Sequence, residues 1–210
     1  MGASTRRSGA GGRPRKYDPE SALRSAMDLF RMRGFASPSM ADLARAAGVH
    51  RPSLSAAFGD RKSLYLAAIE LFRSDLRSRG EATLAQPNIR LAVKAFFDAI
   101  IDVYAGGDNS APGCLVFCTT PAEAAHDPEI RAVLAATLDE VDTLLAERLG
   151  KAEGEGQLIG AAHGLAPLLA ALLHSLAIRA RAGEGPARLR EIAEIGIDQL
   201  LSVTPTGATR

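Results

Sequence analysis

The sequence predicts an all-α fold, with a small N-terminal three-helix unit followed by a larger helical domain. Three observations carry this. Ala and Leu dominate while aromatics make up only 5% and Trp is absent, which favours helices over strands. Apolar residues recur at three- and four-residue spacing along most of the chain. Residues 39–61, SMADLARAAGVHRPSLSAAFGDR, have the pattern of two short helices joined by a glycine turn.

The first helix opens at Asp18, a good N-cap, with Pro19 at its first position. Leu23, Ala26, Met27 and Phe30 form its apolar stripe, and Gly34 stops it. In the second helix Met40, Leu43, Ala44 and Ala47 repeat at helical spacing. Gly48 supplies the turn and Val49 a buried anchor; Leu54 and Phe58 form the stripe of the third helix. Between those anchors lie His50, Arg51, Ser53 and Ser55, a polar and cationic side. A helix-turn-helix uses such a side to enter the DNA major groove, first turn toward the bases. An Ala-rich structural hairpin would share the spacing, so the surroundings decide between the two.

Charge is the strongest of those surroundings. Residues 1–62 hold 12 Lys and Arg against five Asp and Glu, a net of +7; residues 63–210 carry a net of −6. The whole-chain balance of +1 hides this split, and a basic half points to a polyanionic partner. Arg6, Arg7, Arg13, Arg15 and Lys16 lie in a Gly/Ser/Pro-rich stretch that has too little apolar content for a core. That stretch is expected to be disordered when free and to lie along phosphates or enter a minor groove. No apolar region follows its charges, so it does not read as a signal peptide.

Asp60 is placed to cap a long helix from Arg61 to about Arg79, with Leu64, Ala68, Phe72 and Leu76 inward. A helix over Asn88–Tyr104 follows, with Val93, Phe96, Phe97, Ile100, Ile101 and Tyr104 on a broad apolar face. Residues 106–110 read as loop and 112–124 as a short helical piece. Asp127-Pro128 opens a long helix to about Glu153, its stripe running from Ile130 through Leu149. Residues 154–163 are Gly-rich loop. The next helix starts or kinks at Pro167 and ends near Arg181, and the last spans 184–203.

The penultimate helix is apolar nearly all round, and such a helix is buried on all faces. A second copy of the chain would bury it, with Leu168, Leu172, Leu176, Ile192 and Ile195 at the interface; the alternative is a helix wrapped by its own chain. The stretch 164–178 contains Pro167 and His174 and falls short of the roughly 18–20 residues a bilayer span needs, so no membrane partner is expected.

Cys114 and Cys118 are spaced to share one face of a helix. They read as small buried apolar residues, as a thiol sensor beside a ligand, or as part of a metal site, although the scattered histidines make no zinc pattern. Without a secretion signal the pair is expected to be reduced, in the cytoplasm. No nucleophile elbow, phosphate-binding glycine loop or zinc-protease motif is present, so no catalytic residues, metal or cofactor are assigned. Asp139 and Glu140 read as a solvated acidic pair. A thiol-dependent enzyme using Cys118 and an architectural DNA-binding protein without ligand are the alternative readings; a filled C-terminal core would favour the second.

With these residues in place, residues 12–72 resemble the N-terminal domain of the tetracycline-repressor (TetR) family of bacterial transcription regulators. The likeness rests on the helix order, the Phe-x-x-x-Gly-Phe close at Phe30–Phe35, the Ala-Gly-Val turn at 47–49 and the Phe-Gly-Asp junction at 58–60. Pro-Gly-Cys-Leu at 112–115 and Ala-Arg-Ala-Gly at 180–183 are similar to words in one branch of that family. The resemblance implies a homodimeric repressor of about nine helices that binds a double-stranded DNA operator and is released by a small-molecule effector. It implies a basic arm at 1–14, a helix-turn-helix domain at 15–62, a connecting helix at 63–79, a ligand-binding and dimerisation domain at 80–204 and a tail at 205–210. Ser39 stands where the family has a phosphate-contacting hydroxyl, Arg51 and Ser53 on the reading helix, and Arg61 where a lysine grips phosphate. Arg15 and Lys16 extend that set.

The departures bear on which operator is read. Ser55 stands where a tyrosine is usual, and His50 where the family caps its reading helix with Ser or Asn. Pro38 replaces a Thr, which moves the cap of the second helix to Ser37 or Ser39. Lys62 stands where an acid is common and adds positive charge. For an apolar ligand, Phe96, Phe97, Ile100, Tyr104, Phe117, Cys118 and His174 are the candidate wall, each of which is otherwise plain core.

Overall fold

The structure, a computed structural model, describes residues 17–106, 112–158 and 162–202. The basic arm with Arg15 and Lys16, most of the predicted 106–110 loop, and the C-terminal tail lie outside the described residues. Among the described residues there are ten helices and no strand. They are α1 (Pro19–Arg33), α2 (Met40–Ala46), α3 (Arg51–Phe58), α4 (Arg61–Leu84), α5 (Ile89–Ala105), α6 (Leu115–Thr119), α7 (Pro121–Ala124), α8 (Pro128–Gly154), α9 (Ala162–Arg181) and α10 (Pro186–Leu201). The count exceeds nine because Pro121 restarts the short piece as a separate turn.

Caps set most of the boundaries. The carboxylate of Asp18 accepts from the amides of Glu20 and Ser21, Asp60 from Ser63, Asn88 from Leu91, and Asp127 from Glu129 and Ile130. Each satisfies amides that a helix start leaves unpaired.

Two predicted ends shift. Helix α4 runs to Leu84, not Arg79, because Gly80 is a contact point rather than a stop. A Cβ there would stand 3.0 Å from the Phe96 ring and 3.2 Å from Leu144, so the missing side chain lets α4 lie against α5 and α8. Helix α9 begins at Ala162, so Pro167 lies inside it, where its missing amide removes one helical hydrogen bond.

The C-terminal domain is built by α8 on α9, α4 on α5, and α10 on both α5 and α9. Fully buried Phe97, Ile101, Leu145, Leu149, Leu169, Leu176 and Leu189 form its centre. The head packs α1 against α2 and α4, closing over Phe30, Leu43, Leu54, Leu64 and Tyr65. Phe30, Phe35 and Tyr65 pack ring on ring, with centroids 4.8 to 6.5 Å apart.

Two arginines fasten the head to the larger domain. Buried Arg31 of α1 donates from Nη2 to the carbonyls of Val103 at 2.9 Å and Gly113 at 3.0 Å. Its guanidinium also lies over the Phe72 ring, 5.0 Å from the centroid. From the end of α9, Arg181 donates to the carbonyls of Arg31, Met32 and Pro112. Gly113 makes this junction possible. Its φ is +67°, and a Cβ would stand 2.8 Å from both the Ala177 carbonyl oxygen and the Cys118 sulfur.

Candidate nucleic-acid interface and ligand cavity

The interface is a helix-turn-helix made of α2 and α3. Ser39 caps α2 as one half of a capping box. Its hydroxyl accepts from the Asp42 amide at 3.2 Å and donates to the Asp42 carboxylate at 2.5 Å, while the Ser39 amide donates back to that carboxylate at 3.0 Å. Hydrogen bonding to Ser39 holds the Asp42 carboxyl below its ordinary range. Of the two caps predicted, Ser39 is the one used, and its hydroxyl is engaged within the protein. The turn that follows needs a left-handed residue, which Gly48 supplies at φ +64°. The Val49 amide then closes onto the Ala44 carbonyl at 2.9 Å.

His50 is the N-cap residue of α3, in extended conformation, and its side chain makes no capping bond. His50 and Arg51 are exposed and point clear of the head, at the end of the helix that a helix-turn-helix presents to bases. Ser53 and Ser55 are half-buried, one step back from that edge. Arg61 is more constrained than the sequence suggested. It lies over the Phe35 ring at 4.6 Å and donates to the Ala36 carbonyl at 3.1 Å. Lys62 does not add free positive charge to the head. Its ammonium sits 2.7 Å from both Asp127 and Glu129 at the start of α8.

One contributor was missed. Tyr17 donates from its hydroxyl to the Ser53 carbonyl at 3.0 Å, pinning the reading helix from the chain segment before α1. The signal in the sequence was an aromatic residue directly ahead of an N-cap, at the first anchor of the chain after the basic stretch.

The C-terminal domain holds a cavity of about 350 Å³ between α4, α5, α6 and α8. Phe72, Phe96, Ile100, Val116, Phe117 and Leu173 form its apolar wall, and Tyr104, Cys114 and Thr137 also border it. Of the seven predicted wall residues, Phe96, Ile100, Tyr104 and Phe117 line it. Phe97 turns into the core, fully buried. His174 stands behind Phe117, ring centroids 4.1 Å apart. Cys118 faces α9, its thiol donating to the Ala177 carbonyl at 3.5 Å, and the cavity cysteine is Cys114 instead. The pair does not share a helix face, because Cys114 is the N-cap of α6, its sulfur accepting from the Phe117 amide. Burial pushes the Cys114 thiol up to about 12 and raises that of Cys118.

The mouth is charged. Glu140 accepts from Arg73 and Arg77, tying α8 to α4 across the opening, so it is not the solvated acid that the sequence suggested. Burial works to raise the Glu140 carboxyl, but hydrogen bonds from Arg77 and Arg73 outweigh it and hold the group below its ordinary range. Among the described residues, no group of three or more His, Cys, Asp and Glu is placed to hold a metal ion, and no helix is long and apolar enough to cross a membrane.

The predicted interface set divides. Leu168 and Ile195 are exposed at 54% and 55%, Leu172 and Ile192 are half-buried, and Leu176 is fully buried within its own chain. Helix α9 is thus not wrapped on every side. Pro167, Leu168, Ala171, Ser175 and Ile178 leave one open face, on which Ile178, exposed at 59%, takes the place assigned to Leu176. The two positions are two residues apart and so lie on opposite sides of the helix, which composition alone does not reveal.

Set beside known proteins, residues 22–68 match the family described as "Bacterial regulatory proteins, tetR family". The chain is similar to the HTH-type transcriptional repressor ComR of Escherichia coli (strain K12), 29% identical, over 87% of this chain and 88% of that one. It is 43% identical over 54 residues to the HTH-type transcriptional repressor BdcR of the same organism, a match covering 26% of this chain and 27% of that one. Among solved structures it resembles the TetR-family transcriptional regulator CifR, in a cysteine-substituted form complexed with 26-bp operator DNA. That likeness has a TM-score of 0.77 at 29% identity, covering 89% of this chain and 98% of the other. The helix-turn-helix geometry and the all-helical architecture agree with these likenesses: residues 22–68 match the tetR family, and the chain is similar over most of its length to regulators of that family.

Proposed function

We propose that this protein is a ligand-responsive transcriptional repressor, acting in the cytoplasm as a homodimer on a near-palindromic operator and released by a small, mostly apolar molecule. The observation that carries the reading is the joining of a helix-turn-helix with an exposed His50–Arg51 edge to a cavity-bearing domain, through α4 and the Arg31 and Arg181 bonds. Residues 15–62 act as the DNA-binding unit, α4 as the connector, and the remainder to 204 as the ligand-binding and dimerisation unit.

In this reading the open face of α9 meets its counterpart about a twofold axis, with Leu168, Leu172 and Ile178 joined by Ile192 and Ile195. The axis sets two α3 helices about 34–36 Å apart, one turn of DNA. His50, Arg51, Ser53 and Ser55 give sequence preference. Arg15, Lys16, Ser39 and Arg61 give phosphate affinity, with Arg61 and Ser39 exchanging internal hydrogen bonds for phosphate on binding. A ligand that favours one setting of the head over the other by about 1–3 kcal/mol makes a useful switch. The cavity supports this reading over an architectural DNA-binding protein. The raised thiols of Cys114 and Cys118 support it over a thiol-dependent enzyme, whose nucleophile needs a lowered pKa.

Selection of genomic DNA fragments by the purified protein, followed by footprinting of the tightest one, tests the proposal. Protection of a near-palindrome at two adjacent major grooves is the expected result. Salt-sensitive binding without sequence preference would overturn it.

A further inference from the structure

We infer that the Tyr17 hydroxyl is a positioning group for sequence reading. By holding the first turn of α3 it sets how His50 and Arg51 meet base edges, and it touches no DNA itself. The inference rests on the regulator reading above and adds a specificity determinant from outside the helix-turn-helix.

Helix α3 is lightly held. It has eight residues, of which Leu54 alone is buried. Val49 and Phe58, to either side of it, are partly buried against the core. Its start lacks a side-chain cap, since His50 makes no capping bond. The helix packs on α2 and α4. A single inward side chain acts as a pivot and restrains roll about the helix axis only weakly. A roll of ~10° carries a side-chain tip at a radius of ~6 Å through ~1 Å. That displacement spoils a two-point hydrogen bond to a base edge, whose donor–acceptor distances span only about 2.7–3.2 Å.

Tyr17 supplies the missing restraint. Its hydroxyl donates to the Ser53 carbonyl at 3.0 Å, between residues 36 apart in sequence. Among the described residues, no other side-chain hydrogen bond reaches α3. The donor is itself fixed in place. Its ring packs against the core, and the next residue, Asp18, caps α1 through the amides of Glu20 and Ser21. Helix α1 packs on α2 and α4, so the Tyr17 bond ties the start of α1 directly to the reading helix. Ser53 lies two residues beyond Arg51, and the tie therefore acts within the turn that carries the exposed edge.

The bond is neutral. Removing it changes no charge and leaves the exposed Arg51 in place. Non-specific affinity comes from phosphate charge and tolerates a rolled helix, whereas base reading does not. Loss of the hydroxyl should therefore separate the two affinities.

The test uses the full chain, the tightest fragment selected from genomic DNA, and a scrambled duplex of the same length and composition. Fluorescence anisotropy across a salt series compares wild type, Tyr17→Phe and Tyr17→4-aminophenylalanine, whose amine can donate to the same carbonyl. A melting curve accompanies each. Tyr17→Phe should bind the selected fragment about fivefold more weakly, the loss expected of one hydrogen bond. Its affinity for the scrambled duplex and both salt slopes should match wild type. The amine variant should recover most of the loss. An unchanged preference for the selected fragment would overturn the inference, as would no recovery with the amine. An equal loss on both duplexes would also overturn it, by showing that the hydroxyl meets phosphate. A Tyr17→Phe chain that fails to fold would do the same, because the hydroxyl would then hold the fold and not the aim of α3. Wild type binding both duplexes equally would overturn the regulator reading and this inference with it. A wild-type preference that Tyr17→Phe keeps would overturn the inference alone.

Discussion

Arg31 in the first helix donates to the carbonyl of Gly113 at 3.0 Å, a bond between residues 82 apart in sequence. It joins the DNA-binding head to the segment that borders the cavity. Arg181 grips the same junction from the other side, at the carbonyls of Arg31, Met32 and Pro112. Side-chain guanidinium groups thus bond main-chain carbonyls at two helix ends and in the segment before α6.

Removing Arg31 should therefore loosen the junction as well as destabilise the fold. Arg31→Met keeps much of the apolar stem but leaves the Gly113 carbonyl unpaired and the Val103 carbonyl with the Gly106 amide alone, at an expected cost of about 2–4 kcal/mol. Urea denaturation measures that cost. A loss under 0.5 kcal/mol would show that water replaces the guanidinium freely, and that the bond is incidental.

Arg51 is exposed and makes no described contact inside the head. Arg51→Ala should leave stability within about 0.5 kcal/mol of wild type. Specific DNA affinity should fall, with the salt dependence shallower by about one if Arg51 meets a phosphate. Anisotropy titrations across a salt series provide the reading. Affinity and slope equal to wild type would place the reading edge elsewhere.

Leu168 and Leu176 separate association from folding, since one is open and the other buried. Leu168→Glu should yield a folded monomer with weakened operator binding. Leu176→Ala should cost about 2–5 kcal/mol through the space it leaves, without a specific effect on assembly. Light scattering coupled to size exclusion distinguishes them. A Leu168→Glu protein that remains dimeric would exclude the open face of α9 as the interface.

The Arg73–Glu140–Arg77 bridge should give the cavity mouth an acid-sensitive contribution. The Glu140 carboxyl titrates below its ordinary value of 4.5 in the folded chain. Its stabilising effect is therefore fully present above that value and is lost as pH falls through the lower folded one. Glu140→Gln should melt below wild type at neutral pH, and the gap should close on acidification below about pH 4. Melting curves from pH 3 to 7 (a range of roughly the carboxylate titration) check the sign. A gap that widens with acid would reverse it.

Much of the head was legible in the sequence because its signals are local. Asp18 and Asp60 cap the helices they precede, Gly48 makes the turn that a left-handed residue must make, and Leu43, Leu54 and Phe30 are buried as their spacing requires. Such features depend on residues three or four positions apart, and so survive in one dimension.

The sequence by itself determined the helical class, the helix-turn-helix with its exposed His50 and Arg51, and the apolar character of the C-terminal domain. The tertiary structure decided which apolar side chains meet empty space and which meet one another. It turned Phe97 and Leu176 into the core, brought Cys114 to the cavity in place of Cys118, left Ile178 open, and set Glu140 between two arginines. The reason is geometric. A periodic pattern fixes which face of a helix is apolar, but the packing angles and close approaches of several helices, such as the one Gly80 permits, fix what that face touches.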